Sequence, residues 1–160
     1  MKLCDEGSGD YLSLALVGYE FAEVTDEWDS NWLRVQVEVS LNGRSWTTVA
    51  PCLDTYNVRD LADWLQQVAD GVVSTQRLGF TEPSLTFEFV DGDASRIRLR
   101  IWLEMEARPP WAKKGFVGEP DLAVSLTLAP ESARSAAREL LEQLERFPTR
   151  VRHPLRHPQR

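Results

Sequence analysis

Apolar and polar residues alternate along several stretches of the chain, most regularly over residues 32–40. There Leu33, Val35, Val37 and Val39 are each followed by a polar side chain. A period of two indicates a strand with one buried face and one face in water. The same criterion predicts further strands at 11–17, 44–50, 85–89, 97–105 and 122–128.

Two turn signals separate neighbouring strands. Asn42-Gly43 favours a tight hairpin, because a type I′ turn needs a positive φ at both of its central residues. Asp91-Gly92-Asp93 marks a second hairpin turn. Hairpins that connect strands with one wet face predict antiparallel pairing.

Two other stretches have the periodicity of an amphipathic helix. The first has Asn57 as its candidate N-cap and Asp70-Gly71 as its stop signal. Its apolar positions are Val58, Leu61, Trp64, Leu65 and Val68. The second opens at Pro130, where the missing N–H of proline costs nothing. Its apolar positions are Ala133, Ala136, Ala137, Leu140, Leu141 and Leu144.

The predicted elements follow the order βββα-βββα. We therefore expect an α+β fold, a roughly six-stranded and mainly antiparallel sheet with two amphipathic helices over one face. A length of 160 residues fits one domain. We place that domain at 11–147, after a flexible N-terminus at 1–10. Residues 148–160 contain three prolines and no apolar periodicity, which predicts a disordered basic tail.

Charge is distributed unevenly along the chain. Five of the 18 basic residues are arginines within 146–160, a stretch that has no acidic residue. Residues 1–145 keep 13 basic against 25 acidic side chains, a net charge of −12. Such a body disfavours nucleic acid, whose phosphates need a basic face, and suits a basic protein partner. Solubility alone also accounts for an acidic surface.

Few residues are suited to catalysis or metal binding. The only histidines, His153 and His157, lie in the tail, and each precedes a proline that disfavours a helix there. No glycine-rich phosphate loop or nucleophile elbow is present. We therefore expect a protein that is not an enzyme and needs no metal ion or cofactor. A hydrolase that uses carboxylates is the alternative, and it predicts a deep pocket lined by two or more acidic side chains.

Localisation signals are also missing from the sequence. The first ten residues lack the apolar run of a signal peptide, and no stretch has 18 consecutive apolar residues. We expect a cytoplasmic protein without a membrane span. Cys4 and Cys52 are far apart in sequence, which favours two free thiols over a disulfide.

Residues 20–29, here called the acidic segment, combine carboxylates with a tryptophan and contain no lysine or arginine. An exposed tryptophan beside acids is typical of a protein-binding hot spot. Alternatively, this tryptophan packs the segment onto the sheet. The predicted partner-binding residues are Glu20, Glu23, Asp26, Glu27, Trp28 and Asp29. Trp102, opposite an apolar stripe, is a second candidate for an exposed aromatic residue and could support a homodimer.

Several segments together resemble one protein family. They are Gly18-Tyr19-Glu20-Phe21, Trp28-Asp29-Ser30-Asn31-Trp32-Leu33, the strand with Trp46, Pro51-Cys52-Leu53, the helix with Trp64-Leu65, and Phe80-Thr81-Glu82-Pro83-Ser84-Leu85-Thr86-Phe87. The family is that of the WapI-like immunity proteins, small bacterial proteins that neutralise a secreted toxin, and the resemblance covers about residues 11–128.

The resemblance implies a contact-dependent or polymorphic toxin system. Its toxin would act through a C-terminal domain, often a basic nuclease, and the family supplies no catalytic residues. The prediction is therefore a non-catalytic immunity protein whose acidic segment binds a basic toxin domain. The alternative is a scaffolding module with another protein partner.

Overall fold

The computed structural model describes residues 1–24, 26–112 and 122–152. The strands in these ranges are β1 (Lys2–Cys4), β2 (Tyr11–Tyr19), β3 (Trp32–Leu41), β4 (Arg44–Asp54), β5 (Arg77–Gly79), β6 (Leu85–Gly92), β7 (Ile97–Leu103) and β8 (Ala123–Leu128). The helices are α1 (Thr55–Ala69) and α2 (Pro130–Arg146), and a 3₁₀ turn spans Met105–Ala107.

The strands form two four-stranded antiparallel sheets, ordered β1-β2-β3-β4 and β5-β6-β7-β8. The α+β class, the antiparallel pairing and all six predicted strands are confirmed. The single six-stranded sheet is wrong, because two short strands were missed and the strands divide between two sheets. Strands of three residues are too short to show an alternation.

One missed strand, β1, lies in the stretch for which the sequence predicts flexibility. Its Leu3 is fully buried and faces Leu12 of β2 in the antiparallel register. The apolar side chain on the buried face holds this strand to the rest of the sheet.

The hairpin of β3 and β4 follows the predicted pattern. Val35, Val37 and Val39 are fully buried on the inner face of β3. Asn42 and Gly43 have φ values of 53° and 74°, the left-handed conformation that a type I′ turn requires. The predicted alternation of β3 and the predicted turn at Asn42-Gly43 are therefore confirmed.

Helix α1 begins three residues earlier than the sequence predicts. Its N-cap is Asp54, whose carboxylate accepts a hydrogen bond from the Asn57 backbone N–H at 2.6 Å. The Asn57 side chain in turn accepts from the Asp54 backbone N–H at 3.2 Å, which completes a capping box. The predicted ends at Asp70 and Pro130 are confirmed, since α1 stops before Asp70 and α2 starts at Pro130.

The helices pack against each other, and their apolar faces join the inner faces of both sheets in one core. Trp64 of α1 is 3% exposed and meets Phe87 of β6 edge to face at 6.2 Å. Trp46 of β4 is also buried. Its indole N–H donates to the Ala107 carbonyl at 3.0 Å, which ties the first sheet to the 3₁₀ turn after β7.

The two sheets also meet where β1 ends beside β8. The Glu6 backbone N–H donates to the Thr127 carbonyl at 2.9 Å, and the Thr127 N–H donates to the Asp5 carboxylate at 2.6 Å. The second oxygen of that carboxylate accepts from the Ser8 backbone N–H at 2.7 Å. These N–H groups, that of Ser8 foremost, lower the pKa of Asp5 to about 2.

No helix in the described parts of the chain is long and apolar enough to cross a membrane. Of the predicted disordered tail, residues 148–152 are described, and residues 148–151 contact the body of the protein. His153 and His157 lie outside the described residues.

Candidate partner-binding site

The acidic segment lies in the connection between β2 and β3. The Glu20 backbone N–H donates to the Trp32 carbonyl at 2.9 Å, so the pairing of the two strands closes the base of this connection. Phe21, Val24 and Trp28 are 39%, 57% and 51% exposed. Half of the Trp28 surface is thus open to solvent.

Asp26 has a local structural role within the acidic segment. Its carboxylate accepts hydrogen bonds from the backbone N–H groups of Trp28 at 2.8 Å and Asp29 at 2.7 Å. Its own backbone N–H donates to the hydroxyl of the buried Ser30 at 3.1 Å. The carboxylate therefore shapes the turn that presents Trp28, whereas Glu23 and Glu27 are exposed.

A cleft of about 330 Å³ opens between the acidic segment and residues next to the second sheet. We call it the acidic cleft. Its lining residues are Glu20, Phe21, Asp29, Trp32, Pro51, Glu82, Ser84 and Glu106. The structure thus brings Glu20 and Asp29 together in one site, while Glu23, Asp26, Glu27 and Trp28 do not line it.

Two cleft carboxylates, Glu82 and Glu106, were missed from the sequence. Glu82 precedes β6 and Glu106 belongs to the 3₁₀ turn, so both are far from the acidic segment in sequence. Only the packing of the two sheets brings these two carboxylates near the acidic segment. The one available signal was that Glu82 falls in a stretch that carries the family resemblance.

The chemistry of the acidic cleft suits a cation with an apolar stem. Among the described residues, the four ionisable side chains that line it are acidic, and Phe21, Trp32 and Pro51 supply apolar surface. The Glu106 carboxylate accepts from the Ser84 hydroxyl at 3.2 Å. An arginine or lysine side chain combines the charge and the stem that such a lining favours.

The same lining also meets the condition set for a hydrolase, since more than two acidic side chains share a pocket. Within the described residues, no group of three or more His, Cys, Asp or Glu side chains is arranged to hold a metal ion. The same carboxylates could therefore serve a binding protein or a hydrolase. The stoichiometry of protection against a toxin distinguishes the two.

A second cluster lies on the outer face of the second sheet. The Trp102 indole N–H donates to Glu88 on the neighbouring strand at 3.0 Å, and Arg100 lies 3.6 Å from the same carboxylate. Arg98 pairs with Asp91 across the same two strands. Both arginines therefore pair with acids of β6, the neighbouring strand, and Trp102 is half-buried within this network.

The model of the Immunity protein WapI-like family matches residues 3–148. The chain belongs to this family. The match includes α2 and all of β1 except Lys2, which lie outside the stretch that carries the resemblance in the sequence. Comparisons of this WapI-like immunity protein with curated proteins and with solved structures gave no match.

Proposed function

We propose that this WapI-like immunity protein binds one copy of a basic toxin domain and covers the active site of that toxin. The observation that carries the proposal is the acidic cleft, where the acidic segment and two further carboxylates surround exposed apolar surface. Family membership supports the choice of a toxin as the partner.

A nuclease domain fits this surface best among toxin domains. Nucleases bind phosphates through lysine and arginine side chains, so their active sites are basic. An acidic surface accelerates encounter with such a domain, and an exposed aromatic residue beside the cleft, such as Trp28, contributes affinity once water is excluded. Occlusion of this kind requires no catalytic residue in the immunity protein.

The proposal is tested by a pull-down from the native bacterium with this protein as bait, followed by mass spectrometry and a growth assay. We expect the C-terminal domain of a secreted protein at about a 1:1 ratio, and rescue of growth when both proteins are expressed together. Recovery of cytoplasmic proteins without any toxicity would favour the scaffolding function. Recovery of a second copy of the chain alone would favour a homodimer.

Charge reversal tests where the toxin domain binds. We expect Glu82→Lys, and Glu23→Lys combined with Glu27→Lys, each to weaken binding about tenfold and to reduce its salt dependence, because each removes attraction to a basic partner. Asp63→Lys is the matched control, since Asp63 is exposed on α1 and α1 contributes no residue to the cleft. Titration calorimetry at two salt concentrations makes the measurement.

If all three variants bind the toxin with equal affinity, the toxin contacts neither the acidic cleft nor the acidic segment. The hydrolase alternative is separated by stoichiometry. An inhibitor that binds loses its protection when toxin exceeds it, whereas an enzyme that inactivates the toxin protects at substoichiometric amounts.

A further inference from the structure

The residues that follow α2 run back across the base of the acidic segment. We call residues 148–151 the C-terminal strap. Arg150 of this strap donates through Nη1 to the Phe21 carbonyl at 2.8 Å and through Nη2 to the Ala22 carbonyl at 3.1 Å. Its guanidinium carbon lies 3.4 Å from the centroid of the Tyr19 ring. One side chain therefore holds two carbonyl groups at the start of the acidic segment.

The far end of the same connection is held by Asn31, which directly precedes β3. Its side-chain oxygen accepts from the Arg150 backbone N–H at 2.8 Å, and its amide nitrogen donates to the Val151 carbonyl at 2.6 Å. Asn31 is only 2% exposed, so these bonds are formed away from water. A buried amide whose donor and acceptor are both used fixes the strap in one position.

Further contacts anchor the strap to the body of the protein. The Tyr19 hydroxyl donates to the Pro148 carbonyl, and the hydroxyls of Thr55 and Thr149 are 3.0 Å apart. The Tyr19 ring also meets Phe147 edge to face at 5.7 Å. The strap thus joins helix α1, strand β2 and both ends of the β2–β3 connection.

We propose that Arg150 is a positioning residue that holds the acidic segment in the conformation that binds the partner. This inference rests on the proposed function. Between its two anchored ends the segment exposes Phe21, Val24 and Trp28 to solvent, so little apolar burial orders it. A segment that is ordered before binding loses less conformational entropy when the partner binds.

The guanidinium group is suited to this role in a way that an ammonium group is not. A planar fork reaches two carbonyl groups while its face stacks on an aromatic ring. A lysine at position 150 keeps the charge, but its donors all lie on one nitrogen atom, so it cannot present a planar fork to the two carbonyl groups or stack a flat face on the ring. The Arg150→Lys variant therefore separates the geometry of the contact from its charge.

The first test measures order in the free protein and needs no partner. Hydrogen–deuterium exchange is followed for residues 20–31 in the unmodified protein and in the Arg150→Ala, Arg150→Lys and Arg152→Ala variants. Arg152 is exposed two residues further along and is the matched control for loss of charge. We expect exchange in this segment to accelerate at least tenfold in both Arg150 variants and to stay unchanged in Arg152→Ala.

The second test measures binding of a deca-arginine peptide at low salt. Removing either arginine makes the protein more acidic, so electrostatics alone predicts tighter binding by both alanine variants. A positioning role predicts the opposite for position 150. We expect Arg150→Ala and Arg150→Lys to bind the peptide three- to tenfold more weakly, and Arg152→Ala to bind it as well as or better than the unmodified protein.

Unchanged exchange in both Arg150 variants would overturn the positioning role, whatever the partner is. Faster exchange together with tighter peptide binding by Arg150→Ala would also overturn it, because Arg150 would then compete with the partner. Failure of the proposed toxin function leaves a different signature, since the exchange result would hold while no toxin domain is captured.

Discussion

Trp28 and Trp64 show how the surroundings of an indole decide its role. Trp64 is 3% exposed, and its N–H donates to the Thr75 carbonyl at 2.9 Å, so it contributes to the core. Trp28 stands half-exposed on a turn that the Asp26 carboxylate holds by hydrogen bonds. Aromatic surface that remains in water while its backbone is fixed is a common source of binding energy at interfaces.

The two cysteines provide a test of burial at the scale of single residues. Both are free; Cys4 is exposed, whereas Cys52 is buried on β4. Burial raises the pKa of the Cys52 thiol to about 12, so the reactive thiolate is scarce at neutral pH. We expect iodoacetamide at pH 8 to label Cys4 alone in the native protein and both cysteines after unfolding in urea. Peptide mass spectrometry identifies the site, and native labelling of Cys52 at the rate of Cys4 would contradict the prediction.

At the scale of elements, the start of α1 shows that a sequence can offer two suitable N-cap residues for the same helix. Asp54 and Asn57 are both residues that favour an N-cap, and they are spaced as the two members of a capping box. Sequence alone does not tell which member lies outside the helix. The decision comes from β4, which continues to Asp54 and leaves only the later residues free to enter the helix.

Removal of the cap tests how much this arrangement stabilises the protein. We expect Asp54→Ala to lower the free energy of unfolding by about 1–2 kcal/mol, because the Asn57 backbone N–H loses its acceptor. Urea unfolding followed by circular dichroism makes the measurement. Asp63→Ala, an exposed substitution in the same helix, should change the free energy by less than about 0.5 kcal/mol. Equal effects of the two substitutions would show that the capping box does not stabilise the helix.

Strands and helices with a clear period could be predicted from sequence, whereas their division into sheets could not. The six predicted strands are all present because each has enough residues to show an alternation. Strands β1 and β5 have three residues each, which is too few to show an alternation, although each pairs with the next strand along the chain. A local pattern therefore reveals neither these strands nor the boundary between the two sheets. The same limit explains the site. Glu20 and Asp29 were recognised from local composition, but Glu82 and Glu106 reach the cleft only through packing between elements.

At the scale of the whole molecule, the cleft needs both sheets to hold their relative placement. One of its walls belongs to the β2–β3 connection and β4, and the other to residues beside β6 and β7. The sheets are joined at Trp46, which bonds to the Ala107 carbonyl, and at Asp5, which bonds to Thr127. These two contacts between the sheets, one directly beside Glu106 and one at Asp5, therefore help to set the width of the cleft.

The junction at Asp5 gives a stability that depends on pH. Its pKa is lowered to about 2 in the folded protein, chiefly by the backbone N–H groups of Ser8 and Thr127, against a value near 4 in an unfolded chain. A lowered pKa means that the carboxylate stabilises the fold fully above about pH 4. This contribution is lost as the pH falls from about 4 to about 2.

Substitution of this carboxylate should therefore matter at neutral pH and lose its effect in acid. We expect Asp5→Asn to lower the free energy of unfolding by about 1 kcal/mol at pH 7, because an amide cannot accept at both positions where the carboxylate does. The difference from the unmodified protein should shrink towards zero between about pH 4 and pH 2. Urea titrations at pH 7, 4, 3 and 2 measure it, with Asp63→Asn as an exposed control. A difference that stays constant down to pH 2 would mean that the charge of Asp5 does not contribute to the stability of the junction. Apolar packing and backbone hydrogen bonds would then hold the two sheets together.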